Sequence, residues 1–358
     1  MPLPEVQGII DAKDLQRTAS TIAEWQLPNG MIPWFPGGHC DPWNHVEAAM
    51  ALACTGHLDE AEAAYQWLLE MQLDDGPGTG GWHQYYLADG IEDPKFDANV
   101  IAYIATGVWH HWLMTRDRGF LEHMWASVDK AIEFVLRLQT SSGPILWARH
   151  EDGTPWSYAL LTGSSSICHS LRCAIAIGEE LGHDRPDWEL SLAHLAHAIR
   201  TQPEGAFAPK ERWAMDWYYP VLSGALDAEN TFSYLETQRE KFIIESHGVR
   251  CVSDQDWVTA AETCECAMAY LIAGSRSDAL TLFKGALEMR QEDGKCLTGL
   301  VHPGSISFPE NECTTYTAAA IVLAADAISG SSPASSLFVD HSSLPDIIDI
   351  ETVVKRRD

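Results

Sequence analysis

Along most of the chain, apolar residues recur at i, i+3 and i+4, while strict apolar/polar alternation is scarce. That spacing places apolar side chains on one face of an α-helix, so the chain is expected to be helical almost throughout. Two kinds of helical segment alternate. Amphipathic segments with a clear polar stripe cover 11–25, 58–71, 119–138, 187–200, 228–244 and 277–289. More uniformly apolar segments, rich in small residues, cover 41–56, 96–113, 161–181, 214–226, 257–273 and 312–329. A helix apolar on all sides is a buried one, and one with a stripe is half exposed. Six of each, in alternation, predict an all-α fold: an (α/α)6 toroid, or barrel, of six helical hairpins with the apolar helices inside. Six hairpins bury a continuous core that a single hairpin cannot. Residues 1–330 are expected to form one toroid domain. The tail, 331–358, is expected to wrap the outside.

A phrase recurs where the amphipathic helices end: Gln, then Gly, then an aromatic. It reads EWQLPNGMIPW (24–34), EMQLDDGPGTGGW (70–82) and RLQTSSGPILW (137–147), with a degenerate copy EMRQEDGKCLTGL (288–300). Each marks a helix end followed by a glycine turn. The phrase resembles the Gln–Trp repeats of terpenoid cyclases and protein prenyltransferase β-subunits, with Trp67, Leu68, Gln72, Gly81 and Trp82 as the best copy. The layout also resembles the six-hairpin glycosidases. The chain as a whole, with segments such as AMDWYYPVLSGAL, resembles an actinobacterial group called "prenyltransferase" by similarity. These resemblances imply the toroid more firmly than any one reaction.

Composition narrows the partners. With 23 Lys and Arg against 51 Asp and Glu, the formal net charge is −28. Such a surface repels phosphate backbones and anionic lipid, so neither nucleic acid nor membrane is an expected partner. A diphosphate would need a local basic pocket, for which Lys210 and Arg212 are the compact source. No apolar run is long enough to span a bilayer and no signal peptide is apparent. Nine cysteines, an odd number scattered through helical segments, fit free thiols in a reducing compartment, so a cytoplasmic location is expected.

If the inner helices run parallel, their N-termini open on one face, where helix dipoles and unpaired N–H groups favour polar ligands. The residues gathered there are carboxylates, amides and aromatics. Asp97, Asp216, Glu262 and Glu312 are the candidate catalytic carboxylates. Candidate substrate contacts are Trp34, His39, Asp41, Trp43, Asn44, His45, Trp82, His83, Tyr85, Asn99, Trp147, Lys210, Arg212, Trp217, Tyr218, Tyr219, Trp257 and Tyr316. Asp, Asn, Ser and Thr are also ordinary helix caps, and a capping role alone accounts for any one of them. Their recurrence at the same end of nearly every repeat is what points to a site. Flat aromatic faces ringed by carboxylates suit sugars.

The stretch GHCDPWNH (38–45) has metal-ligand residue types but no converging spacing, and no CxxC or HExxH supports it, so no metal is expected. No glycine-rich strand–helix unit signals a nucleotide cofactor, and none is expected. The expected function is that of a carbohydrate-active enzyme, a glycoside hydrolase with a carboxylate pair, the inverting type favoured. Asp97 and Glu262, on repeats two and five, would face each other across a six-fold ring, and Asp216, in the most aromatic helix start, AMDWYYP, is an equal candidate. Three alternatives stand beside it. A sugar epimerase on the same toroid would use His39, His45 or His83. A terpenoid-cyclase or prenyltransferase relative would take an isoprenoid substrate. A catalytically inert toroid would only bind sugar.

Overall fold

The computed structural model describes residues 2–226 and 228–350. Fourteen α-helices follow in chain order: α1 (Ala12–Trp25), α2 (Pro42–Cys54), α3 (Leu58–Met71), α4 (Ala98–Ala102), α5 (Ile104–Thr115), α6 (Arg118–Leu136), α7 (Leu161–Leu181), α8 (Pro186–Thr201), α9 (Met215–Leu222), α10 (Thr231–Glu236), α11 (Arg239–Phe242), α12 (Ala260–Ile272), α13 (Arg276–Ala286) and α14 (Thr315–Ser329). The inner ring closes on itself: α2 packs on α5, α5 on α7, α7 on α9, α9 on α12, α12 on α14, and α14 returns to α2. Outside it lie α1, α3, α6, α8 and α13, each packed against at least one neighbouring inner helix. The chain is therefore an all-α (α/α)6 toroid.

Local chemistry sets where these helices begin and end. Asp11, Asp41, Asp97, Asp117 and Thr314 each accept a backbone N–H of the first turn, satisfying donors that the helix itself leaves unpaired. Gly182 and Gly330 end α7 and α14 in the left-handed conformation.

The fourth hairpin departs from the expected pattern. Its inner helix, α9, has only eight residues and contains Pro220, which cannot donate a backbone hydrogen bond. Its outer partner, expected as one helix over 228–244, is instead a short 3₁₀ turn (Ala228–Asn230) followed by α10 and α11. The two isoleucines at its end leave the helix to pair as a strand with Gly248–Val249.

The Gln–Gly phrase is a staple between neighbouring hairpins. The Gln26 side-chain amide donates to Gly30 O at 3.0 Å within its own turn and to Glu60 O at 2.9 Å on α3. Gln72 does the same to Gly80 O (2.8 Å) and Ser127 O (2.9 Å), and Gln139 to Gly143 O (2.9 Å) and Ser191 O (2.8 Å). The glycines have φ of +91°, +90° and +107°. A Cβ on Gly30, Gly80 or Gly143 would fall 2.1–2.4 Å from a carbonyl oxygen of the next outer helix, so both conformation and space demand glycine. In the degenerate copy Arg290 replaces Gln. It donates to Thr18 Oγ1 and Asp14 O, both at 2.8 Å, tying the last hairpin to α1.

The few strands are two to four residues long. Some feed the inner helices. Phe96–Asp97 pairs with Ala148–Arg149 and delivers Asp97 to the start of α4. Trp257–Thr259 pairs with Gly299–Val301 and leads into α12.

The described part of the tail, 331–350, seals the opposite end of the ring. Ala334 and Leu337 are buried, and Phe338 stacks on His169 of α7. Arg172 donates to the carbonyls of His341 and Pro345. Residues 351–358, the rest of the expected tail, lie outside the described residues.

Candidate active site

All six inner repeats contribute to one cleft of about 440 Å³. Repeat one supplies Trp34, Asp41, Trp43 and Asn44; repeat two, Gln84, Tyr85, Asp97, Asn99 and Val100; repeat three, Trp147, Leu160, Thr162 and Gly163. Repeats four, five and six add Lys210, Met215 and Asp216, then Glu262, then Tyr316. A smaller cavity of about 120 Å³ opens beside Glu262 and is shared by Trp43, Asn44, Trp257 and Tyr316. Because each inner helix begins at this face, four carboxylates converge here among aromatic walls.

Their environments differ. Asp41, 2% exposed, spends both oxygens on internal donors. Oδ1 accepts the backbone N–H groups of Trp43 and Asn44, each at 3.0 Å, and Oδ2 accepts Trp34 Nε1 and Asn44 Nδ2, each at 2.7 Å. Burial raises its pKa against these bonds. Asp97, 7% exposed, uses Oδ1 to cap α4 through Asn99 N (3.0 Å) and Val100 N (3.4 Å). Burial pushes its carboxyl up to about 6, with Lys95, the cap and Trp147 pulling the other way. Asp216 is also raised by burial, opposed by the hydroxyl and N–H of Thr162 that it accepts. Glu262, in the first turn of α12, is half-buried and reaches both cavities.

Beneath the cleft lies a second acidic layer. Glu265, one turn after Glu262, accepts the hydroxyls of Tyr218 and Tyr219. Burial lifts it to about 8, with the tyrosine hydroxyls pulling down and Glu262 adding to the rise. Glu47 accepts Tyr103 OH at 3.1 Å and is raised by burial and by Glu265. Glu47, Tyr103, Tyr219 and Glu265 line a small cavity that Phe338 of the tail also borders.

The expected site residues therefore divide. Asp97, Asp216, Glu262, Trp34, Asp41, Trp43, Asn44, Tyr85, Asn99, Trp147, Lys210 and Tyr316 come together in the cleft, and Trp257 lies in the adjoining cavity. Glu312 does not line either space; its carboxylate accepts Thr298 Oγ1 at 2.9 Å. His39 pairs with Glu92 at 3.0 Å. His45 is buried against Trp67, between Ile32 N and Ala64 O, and burial lowers it to about 4. Trp82 and Trp217 are core residues whose indoles donate to Leu68 O and Leu235 O. His83 is tied to Pro94 O at 2.9 Å and stacks on Phe96. Arg212 is clamped by both oxygens of Asp254 at 2.9 and 3.0 Å. Tyr218 and Tyr219 belong to the lower layer.

Sequence reasoning missed Gln84, Leu160 and Met215 in the cleft, and missed Glu265 altogether. The i, i+3 spacing of Glu262 and Glu265 was the available signal, since it sets both on one helix face.

Within GHCDPWNH, His39 turns to Glu92, His45 to Ile32 N and Ala64 O, and Asp41 to Trp34 and Asn44, so the ligand-type side chains do not converge on a point. Among the described residues, the three-residue grouping with metal-ligand atoms close together is His247, Glu288 and His302, within 4.8 Å of one another. None of the three lines the cleft.

No family model matches the chain. The chain is 45% identical over 336 residues to the MMP endo-(1,4)-3-O-methyl-α-D-mannosidase of Mycolicibacterium hassiacum, an alignment covering 94% of this chain and 92% of that one. Solved structures share the fold at low identity. A glycosidase in complex with glucose matches with TM-score 0.65 at 14% identity, over 90% of this chain and 99% of that one. A D-mannose isomerase matches with TM-score 0.64 at 10% identity, over 90% and 99%. The cellobiose 2-epimerase of Spirochaeta thermophila matches with TM-score 0.63 at 14% identity, over 89% and 98%.

Proposed function

We propose that this chain, which belongs to the family of the Mycolicibacterium hassiacum MMP endo-(1,4)-3-O-methyl-α-D-mannosidase and is thus a glycoside hydrolase, cleaves internal α-(1→4) bonds of O-methylated mannose chains with Asp97 as general acid and Glu262 as general base. The observation that carries the pair is the difference between two carboxylates on opposed repeats of one open cleft. Asp97 is buried and its carboxyl is pushed up to about 6, so it holds a proton to give the leaving oxygen in mildly acidic solution. Glu262 is half-buried and borders the side cavity, which offers room for the attacking water. Water between the two carboxyls is the arrangement of an inverting hydrolase, in which the base activates it on the face opposite the leaving group.

Asp41 is assigned to substrate positioning. Both of its oxygens are already held by four internal donors, which fixes the carboxylate and the Trp34 and Asn44 side chains at the cleft wall. Asp216 fixes Thr162 at the cleft wall. Trp34, Trp43, Trp147, Tyr85 and Tyr316 supply apolar surface for sugar faces and methyl groups, while Asn44, Gln84 and Asn99 can bond the remaining hydroxyls. A cleft open to solvent admits the middle of a chain, as internal cleavage requires.

The epimerase reading loses its acid–base pair, because no histidine is among the described residues lining the cleft. An isoprenoid reading calls for one acid in a greasy cavity, and four carboxylates meet here instead. Among the described residues no helix is long and apolar enough to cross a membrane. All nine cysteines are free and eight are buried, which supports a reducing, cytoplasmic setting.

The test is turnover of an O-methylated α-(1→4)-linked mannose oligosaccharide. Asp97→Asn and Glu262→Gln are each expected to lower kcat by about 10²–10⁴-fold while the protein stays folded. Near wild-type turnover in either variant would remove that residue from the pair.

A further inference from the structure

Thirteen of the fourteen tryptophans are buried or half-buried; Trp213, 40% exposed, is the exception. Leaving so large an apolar ring in water forgoes favourable burial, so its position calls for a reason. It is not loosely held. Its backbone bridges Val252, its N–H donates to Lys210 O at 2.8 Å, and the neighbouring Arg212 O accepts Ser253 N at 2.8 Å. The Arg212 guanidinium lies over the ring, 5.6 Å from its centroid, and is itself fixed by the two oxygens of Asp254. Arg212 is thus a buttress rather than a direct ligand.

Trp213 borders two spaces. It lines the rim of the main cleft beside Asp216 and Lys210, and it also lines an annex of about 170 Å³ on the outer side of repeat four. The annex has apolar walls from Leu161 and Phe207, with Gln202, Gln238 and Lys210 as hydrogen-bonding groups. Among the described residues, no other aromatic ring is paired with Trp213. An apolar, concave space with a few polar groups and a braced, uncovered indole has the makeup of a ligand subsite.

We propose that Trp213 and this annex form a distal sugar-binding site, which holds a residue of the same glycan beyond the units that occupy the main cleft. The inference rests on the hydrolase reading above. Continuity with the cleft through Trp213, Lys210 and Asp216 identifies the occupant as the substrate chain itself. An O-methylated sugar suits the indole because its methyl groups enlarge the apolar surface that ring can cover. The annex makes the enzyme selective for long chains and directs cleavage toward their interior.

The experiment compares kcat/KM on a long and a short O-methylated α-(1→4)-mannose oligosaccharide for wild type, Trp213→Ala, Trp213→Phe and Arg212→Ala. For Trp213→Ala, the long-to-short ratio is expected to drop about tenfold, as loss of one aromatic platform can cost. Trp213→Phe should retain most of the ratio, and Arg212→Ala should fall between. An unchanged ratio in Trp213→Ala would overturn the proposal. Should the wild type cleave neither glycan, the hydrolase reading fails separately, and calorimetric titration with the long glycan still judges the platform. Binding about tenfold weaker in Trp213→Ala supports it; equal affinity, or no binding by the wild type, overturns it.

Discussion

At the scale of single residues, unlike environments set chemically similar carboxylates apart. Asp97 caps α4 and is buried, so in the proposed mechanism the cap and the proton donor are one side chain. Its raised pKa makes two predictions. As the free enzyme's general acid it must be protonated, so kcat/KM should fall as pH rises through about 6. A pH–rate profile with no loss on that side would contradict the assignment. The second concerns stability. Folding raises this group's affinity for its proton, so the stabilisation is complete below the unfolded value near 4 and is lost as pH rises through about 6. At neutral pH the buried carboxylate is therefore a net cost. Asn caps a helix about as well as Asp, so Asp97→Asn should be more stable than wild type at pH 7, by on the order of 1–3 kcal/mol. Thermal melts at pH 4 and pH 7 check this: the gain should appear at pH 7 and shrink at pH 4. The sequence showed that Asp97 and Glu262 stand at inner-helix starts. It did not show that Glu312 turns to Thr298, or that Arg212 turns to Asp254, because those choices are made by loops whose rotamers depend on neighbours far away in the chain.

At the scale of elements, the staple explains why the repeat was legible. A Gln that bonds its own turn and the next outer helix, with a glycine that admits the contact, leaves a fixed pattern in sequence. The fourth hairpin left none: α9 is short and carries Pro220, and Ile243 and Ile244 pair as a strand although their apolar spacing suits a helix. Removing one staple should be measurable. Gln72→Ala loses two side-chain bonds and leaves Gly80 O and Ser127 O short of a donor, for an expected cost of about 1–3 kcal/mol. Gly80→Ala should cost at least as much, since its Cβ would meet Lys130 O at 2.4 Å in a left-handed backbone. Both are read by denaturant unfolding, and wild-type midpoints in both would show the staple to be dispensable.

At the scale of the molecule, six hairpins closed into a ring set every inner-helix start on one face, and the tail seals the other. The acids, aromatics and amides of distant repeats thereby meet in one cleft, open enough for a chain to lie across it. The central claim is that this cleft cuts such a chain internally by single displacement between Asp97 and Glu262. The most direct measurement follows a defined-length O-methylated α-(1→4)-mannose oligosaccharide by NMR during the first turnovers, with the products sized in parallel. The account predicts oligosaccharide products from internal bonds, with the new reducing end released first as the β-anomer. Release of single terminal sugars, or first appearance of the α-anomer, would contradict it.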